Sequence, residues 1–441
     1  MKHHSIGRFA ALGAVLTATA LFAGCSSTGG TPANTGTTGS TAPSSSQAAA
    51  PIEITQWFHD YGEDGTQAAV EKYADDFNKS QSAIHVTVVW VPGDYASKLN
   101  AALLAGTGPD VFETLPIGDR IHAGQVAPVD DLFGSALSDF NQNNIGAMTV
   151  NGHIYGVPQS DGTGMLYYRK SMLSAAGVTP PTTMDELIAA AKKLTTADHK
   201  GLFIGNDGCT SGNLPEIAVW MSGSKILDTD KVAFNNDRTV KAFQKMKELC
   251  ADNANSLLLG APSDWWDGAA FADGLAAMQW AGQWSLPQIT AALGDDFGVV
   301  PWPALDAQGK QTTWFGGWYS QVNAASKNLD AAKQFVKWLW IDNTDAQKDW
   351  CTSYGSTAPV RQSIVDATPA LNQSPAKEFM TAIKDNGFLL GGPYWSNAGQ
   401  AAIGTALANV VKGADATSEV AAAAKTFTDD VANIQANSKV K

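Results

Sequence analysis

Aromatic side chains and planar polar groups occur together in several Gly- and Pro-containing segments of this chain. A sugar has hydroxyl groups at its edge and C–H patches on its faces, so a site for one needs flat aromatic surfaces and paired hydrogen-bonding groups. Gly317 would let a ligand or another backbone segment approach closely. The aromatic candidates for such a site are Trp57, Trp284, Trp318, Tyr394 and Trp395. Trp284 could instead pack in a core, and Tyr394 and Trp395 could instead belong to a capped loop that the Trp side chain anchors.

Polar candidates follow apolar runs or stand in turns. Glu113 comes directly after Val111 and Phe112, where a carboxylate could accept hydrogen bonds from hydroxyls. Arg361 could pair its guanidinium with two hydroxyls or a ligand carboxylate, or form a salt bridge that closes two halves of the protein. The other candidates, whose Asp and Asn members could instead cap helices or turns, are His59, Asp60, Asp94, Asp161, Asn206 and Asp207.

The segments that carry these residues alternate between strand and helix. Residues 52–59 alternate apolar and polar side chains and predict a strand, and residues 70–77 have helical spacing. A second strand at 84–90, a helix at 94–104 and a buried strand at 110–112 follow. This order implies right-handed crossovers and a parallel sheet whose strand ends bind the ligand. Further on we predict strands at 166–168 and 298–300, and helices at 185–194, 329–341 and 398–434.

The sequence lacks the patterns of common enzymes. It contains no HExxH, Gly-x-Ser-x-Gly or Walker A motif, and its seven His residues are scattered. We therefore predict no catalytic residues, no metal and no cofactor. Two carboxylates at a set separation could still cleave a glycosidic bond, so a secreted glycoside hydrolase is kept as an alternative.

The first residues are typical of an export signal. Lys2 and Arg8 begin residues 1–24, whose apolar run is too short to span a membrane, and two small residues precede Cys25. This is similar to a bacterial lipoprotein signal, in which Cys25 is lipidated, and it predicts anchoring at the extracellular face of the cell membrane. Residues 25–51 are rich in Ser, Thr and Gly and predict a disordered tether.

The net charge limits the possible binding partners. Removing Lys2 and Arg8 with the signal changes the formal net charge from -13 to about -15, which argues against nucleic acid as a binding partner.

Three cysteines remain once Cys25 is assigned to the lipid, and export places them in an oxidising environment. Cys209 and Cys250 flank one helical stretch and are our preferred disulfide, with Cys351 as a buried thiol, although all three single pairings stay open.

Three sets of motifs spread over most of residues 52–430 form a larger pattern. Residues 95–111 have the sequence YASKLNAALLAGTGPDV. The second set is NGHIYGVP, LYYRK and PPTT, which start at residues 151, 166 and 180; the third is AMQWAGQW and SKN, which start at residues 277 and 326. In this order the chain resembles the family 1 extracellular solute-binding proteins, the group of the maltose-binding protein, although Arg169, Met184 and Gln283 depart from the family pattern.

The resemblance implies a two-lobe, periplasmic-binding-protein-like α/β fold, in which each lobe is a mostly parallel sheet flanked by helices. It also implies a monomer that binds a sugar or oligosaccharide by stacking and hydrogen bonds, closes about a hinge and delivers the ligand to an ABC transporter permease. Trp284 and the loop of Tyr394 match stacking positions of the family. The acidic loops leave a cationic or amino-acid-like ligand as an alternative.

A discontinuous arrangement of the two lobes follows from the same resemblance. We predict a first lobe of residues 52–157 and 302–356, and a second lobe of residues 158–301 and 357–434. The chain would then cross between lobes near residues 157–161, 300–302 and 357–359.

Overall fold

The computed structural model describes residues 50–61, 64–207, 209–354 and 357–440, so the predicted export signal and Cys25 lie outside the described residues. Within this part of the chain, no helix combines the length and the apolar character that a membrane span requires.

The described residues contain fifteen strands. They are β1 (Ile52–His59), β2 (Ile84–Val91), β3 (Val111–Thr114), β4 (Thr149–Val150), β5 (His153–Ile154), β6 (Val157–Pro158), β7 (Gly162–Arg169), β8 (Lys200–Phe203), β9 (Leu227–Asp228), β10 (Lys231–Val232), β11 (Ala276–Gly282), β12 (Phe297–Val300), β13 (Thr313–Gly316), β14 (Tyr319–Val322) and β15 (Gly387–Leu389).

Sixteen α-helices occur in the same part of the chain. They are α1 (Thr66–Ser80), α2 (Tyr95–Ala105), α3 (Asp119–His122), α4 (Gln142–Ala147), α5 (Lys170–Ala176), α6 (Met184–Leu194), α7 (Leu214–Met221), α8 (Asp237–Lys247), α9 (Ala269–Ala272), α10 (Leu286–Leu293), α11 (Leu329–Lys337), α12 (Thr344–Asp349), α13 (Gln362–Asp366), α14 (Ala376–Asn386), α15 (Asn397–Val411) and α16 (Ala416–Asn437).

Local sequence signals account for many of these elements. The predicted strand, helix, strand, helix, strand order at the start of the chain is confirmed as β1 to β3, and β1 pairs in parallel with both β2 and β3. At α6, the Thr183 side chain and Glu186 form a reciprocal capping box, which satisfies backbone N–H groups that the first turn of a helix leaves without partners. The predicted helix 398–434 is interrupted and forms two helices, α15 and α16.

Two sheets divide the structure into two lobes. The first lobe contains the sheet β2-β1-β3-β14-β6, and the second contains β15-β13-β7-β11-β8, with β12 also paired to β7. Helices cover both sheets, and each lobe has its own buried apolar clusters: Ile54, Phe58 and Val111 belong to one in the first lobe, and Leu166, Met278 and Trp280 to one in the second. The two-lobe α/β prediction is confirmed.

One strand in each sheet runs against all the others. It is β14 in the first lobe and β7 in the second. Each begins directly after the chain has crossed from the other lobe, so it starts at the edge where the remaining strands end. The sheets are therefore mostly parallel. The one antiparallel strand in each sheet begins where the chain enters that lobe from the other.

The crossings differ in part from the predicted division. The first runs through residues 158–162, whereas we predicted it near residues 157–161. β13 pairs with β7 and β15, so residues 313–316 lie in the sheet of the second lobe and not in that of the first. The chain returns at Gly317 and Trp318. The last crossing also lies later than residues 357–359, because Val360 packs in a first-lobe cluster and Arg361 binds Asp139 there. Apolar periodicity did not indicate β13, which is only four residues long.

Candidate functional site between the two lobes

The strand ends of the two sheets face each other across the crossing segments. At the first-lobe edge lie the ends of β1, β3 and β6 and the start of β14. At the second-lobe edge lie the start of β7 and the ends of β8, β11, β13 and β15. Ligands of open α/β sheets bind at the carboxyl ends of strands, so these edges define the candidate site.

A buried carboxylate organises the first-lobe edge. The Glu113 side chain has no exposed surface, and its Oε1 accepts a hydrogen bond from the His59 backbone N–H at 2.8 Å and lies 2.5 Å from His59 Nδ1. The Tyr61 hydroxyl donates to Oε2 at 2.5 Å. We expected Glu113 to contact ligand itself; in the structure both of its oxygens bind protein donors, because its side chain points into the lobe.

Aromatic rings surround His59 at this edge. Trp318 stacks on the imidazole with 3.8 Å between ring centroids and an angle of 22°, and Tyr61 lies 3.7 Å away. The Tyr95 hydroxyl donates to the Glu113 carbonyl at 2.9 Å and so fixes the end of β3. Trp57 and Trp318 are both partly buried and pack against a separate apolar cluster that contains Tyr95 and Phe112.

A second aromatic group occupies the second-lobe edge. The half-buried Trp284 follows β11 and donates its Nε1–H to the Trp266 carbonyl at 2.9 Å. Its ring lies 5.7 Å from that of Trp265 and 6.0 Å from that of Trp314. Trp266 itself is 56% exposed, so the group extends to the protein surface.

The two crossing segments run side by side between these groups. The Gln159 N–H donates to the Trp318 carbonyl at 2.9 Å. A Cβ atom on Gly317 would lie 1.9 Å from the Ser160 carbonyl oxygen, so only glycine fits there without a backbone shift. Gly317 therefore serves the approach of two backbone segments, which is one of the two roles that the sequence left open for it.

Two predicted ligand contacts are buried inside the protein. Arg361, only 8% exposed, donates from Nε to Asp139 at 2.8 Å and from Nη1 to the Ile341 carbonyl at 2.6 Å, within the first lobe. Asp161, at the first crossing, is 3% exposed and accepts a hydrogen bond from Asn144 Nδ2 at 2.5 Å. Neither side chain is available to a ligand in this structure.

Three further candidates hold turns. Asp94 caps α2 by accepting the Ser97 N–H at 3.1 Å. Asn206 binds the backbone of Ala261 at 2.8 Å, and Asp207 accepts the Ser211 hydroxyl at 2.8 Å. From the sequence, these Asp and Asn residues could either bind ligand or cap helices and turns, and in the structure they make the capping contacts.

The remaining candidates divide between edge and core. Trp395 is 3% exposed and packs near Trp220, so it belongs to the second-lobe core. Tyr394 is half-buried and stacks on His122 of the first lobe with 5.2 Å between centroids. Asp60 is exposed next to His59. Tyr61 was not among the predicted contacts, although its position two residues after β1 was a usable signal.

The structure pairs the predicted cysteines. Cys209 and Cys250 form a disulfide with 6.1 Å between their Cα atoms, and Cys351 is a buried free thiol. In the described ranges, no group of three or more His, Cys, Asp or Glu side chains is arranged to hold a metal ion.

Burial raises the pKa of the Asp161 carboxyl to about 7, while the Asn144 hydrogen bond acts to lower it. This pKa makes the stability of the protein depend on pH in a way that can be measured. Between pH of about 4 and 7 the folded chain then binds more protons at this site than the unfolded chain, so raising the pH through this window lowers the free energy of unfolding. We expect Asp161→Asn to be more stable than the wild type by about 2 to 4 kcal/mol above this window, and by much less below it.

Urea unfolding of both proteins across the pH range measures this difference. Asp94→Asn is the matched control, because Asp94 is exposed and caps a helix with an oxygen that Asn retains. A stability difference between Asp161→Asn and the wild type that does not change with pH would contradict the assignment.

Comparisons with known proteins identify related chains. A family model described as bacterial extracellular solute-binding protein matches residues 72–381. A probable ABC transporter-binding protein of Deinococcus radiodurans is 29% identical over 49% of this chain and 53% of its own length. The arabinooligosaccharide-binding protein of Bacillus subtilis is 26% identical over 60% of this chain and 63% of its own length. The chain thus spans about half to three-fifths of these curated relatives.

The chain also matches a solved structure, over a larger share of its length than it matches these two relatives. The GacH receptor of Streptomyces glaucescens, studied without ligand and in complex with acarbose, is 26% identical and has a TM-score of 0.72. The match includes 89% of this chain and 100% of that protein.

Proposed function

This chain belongs to the bacterial extracellular solute-binding protein family, and we propose that it captures an oligosaccharide between its two lobes for an ABC import system. The observation that carries the proposal is the pair of aromatic groups, around Trp318 and around Trp284, on opposite edges of the site. Flat rings on both sides suit the C–H faces of successive sugar units. The relatives are named as binding proteins, and one of them for arabino-oligosaccharides.

Binding would work by closure of the lobes without bond chemistry. Ligand shifts the equilibrium toward the closed state only by its higher affinity for that state, so groups on both lobes must touch it. The crossings at residues 158–162 and 317–318 are the proposed hinge segments, and the lobes are proposed as residues 52–157 with 317–363 and 162–316 with 376–434. The closed monomer would then dock on the permease.

We further propose lipid anchoring at Cys25 for this extracellular protein. The apolar run that ends in two small residues before Cys25 supports this step. A tether of Ser, Thr and Gly would let the lobes move above the membrane. Metabolic labelling with a palmitate analogue, lost in Cys25→Ser, tests the anchor.

A thermal-shift screen of the purified chain tests the ligand class. The panel contains neutral oligosaccharides, amino acids and polyamines. A ligand at a hundredfold excess over its Kd should stabilise the protein by about 2.7 kcal/mol. Stabilisation by oligosaccharides alone supports the proposal, whereas stabilisation by amino acids or polyamines alone overturns it. Chromatography of the incubated sugars would reveal any hydrolysis, which would assign the chain to the glycoside hydrolases.

A further inference from the structure

The surroundings of His59 leave one part of its ring for a ligand. Trp318 and Tyr61 lie against the imidazole at 3.8 and 3.7 Å, with 6.0 Å between their own ring centroids. Glu113 covers the edge that carries Nδ1 at 2.5 Å. The His59 side chain is 17% exposed, and these three contacts leave uncovered the opposite edge of the ring, which carries Nε2.

The proton on the ring is fixed by the same contacts. Glu113 is a carboxylate that accepts hydrogen bonds, so His59 Nδ1 carries the hydrogen and donates it. In the neutral ring, Nε2 is then an acceptor. Within the residues that the structure describes, Nε2 has no hydrogen-bond partner. Tyr61 and the His59 backbone N–H also donate to Glu113, which keeps the carboxylate from rotating away.

We propose that His59 is the polar group of the first lobe that selects the ligand, and that its Nε2 accepts a hydrogen bond from a sugar hydroxyl beside the ring that stacks on Trp318. Glu113 is a positioning residue that sets the tautomer and never contacts the ligand. The proposal rests on the proposed function, because it requires a polyhydroxylated ligand in the same site. His59 is the last residue of β1, so this edge of its ring lies where the strand ends face the second lobe.

The first experiment needs no ligand. ¹⁵N NMR of the imidazole nitrogens in the full protein should show His59 with a protonated Nδ1 and an unprotonated Nε2. In Glu113→Gln the two tautomers should mix, because a neutral amide no longer prefers a donor at Nδ1. If His59 of the wild type carries its proton on Nε2, the proposal is overturned. Tyr61→Phe, which keeps the carboxylate and removes one of its donors, provides a second test and should keep the Nδ1–H tautomer.

The second experiment uses a mixture of neutral oligosaccharides from starch and arabinan hydrolysates. We expect the mixture to shift the His59 Nε2 resonance, and we expect His59→Ala to weaken binding by about 10- to 100-fold and Glu113→Gln by about tenfold. His153→Ala is the matched control, since His153 pairs with Asp130 at 3.1 Å on the exposed surface. The control should leave the affinity unchanged.

The outcomes separate the two proposals. A thermal shift with the mixture but an unmoved Nε2 resonance overturns the role of His59 and leaves the proposed function intact. An equal loss of affinity in His153→Ala also overturns that role. No thermal shift with any component overturns the proposed function and, with it, this inference.

Discussion

Replacing Trp284 with alanine should weaken oligosaccharide binding by about 30-fold, which corresponds to about 2 kcal/mol. The ring is held before a ligand arrives, because its Nε1 donates to the Trp266 carbonyl and the Trp265 and Trp314 rings lie 5.7 and 6.0 Å away. A rigid aromatic surface contributes its full contact area without a large loss of conformational entropy on binding. Isothermal titration with the sugar that gives the largest thermal shift measures the effect.

The same titration on Trp318→Ala tests the opposite lobe. Trp318 stacks on His59, so its removal should take away both a platform and a support for the imidazole, with a loss at least as large. Trp338→Ala is the control, because Trp338 packs on Phe77 in the helical layer of the first lobe. It should lower the Tm and leave the Kd unchanged. Unchanged affinity in both Trp284→Ala and Trp318→Ala would remove the main support for a site between the lobes.

Loss of the disulfide should have the largest effect on stability. Cys209 and Cys250 are separated by 41 residues, and closing a loop of that length stabilises a protein by about 4 kcal/mol in the chain-entropy model. The double variant Cys209→Ala, Cys250→Ala should therefore have a free energy of unfolding lower by about that amount. Urea unfolding with and without reductant measures it.

A matched variant separates the disulfide from the free thiol. Cys351→Ala removes the buried thiol and should keep the full dependence on reductant, whereas the double variant should have none. Sugar affinity should be similar in all three proteins, because contacts outside the disulfide also hold the rings at the site, such as the hydrogen bond from Trp284 Nε1 to the Trp266 carbonyl. A wild type whose stability does not respond to reductant would contradict the pairing.

Local secondary structure could be predicted from the sequence because it depends on residues that are close together in the chain. Alternation in residues 52–59 and 84–90 gave β1 and β2, and helical spacing between them gave α1. The end of β1 could be predicted as a candidate binding position, since parallel strands end at a common edge. His59 became a candidate in this way, whereas Trp284 became one through the family resemblance.

The direction of polar side chains could not be predicted in the same manner. Glu113 accepts from residues 52 and 54 positions earlier, and Arg361 donates to Asp139, 222 positions away. Such contacts depend on which strands become neighbours and on which face of the sheet is covered by helices. Polar residues after predicted strands could therefore be named as candidates for the site. The sequence could not show which of them would bind a ligand and which would form hydrogen bonds within the protein.

The sequence by itself determined the alternation of strands and helices at the start of the chain, because periodicity and turn residues act over a few positions. The two-lobe arrangement was implied by the family resemblance. Tertiary structure alone decided that Gly317 and Trp318 carry the chain back to the first lobe, that Asp161 and Arg361 are buried, and that Glu113 supports His59. Burial and hydrogen bonding at these positions depend on segments far apart in the chain, and only packing brings those segments together.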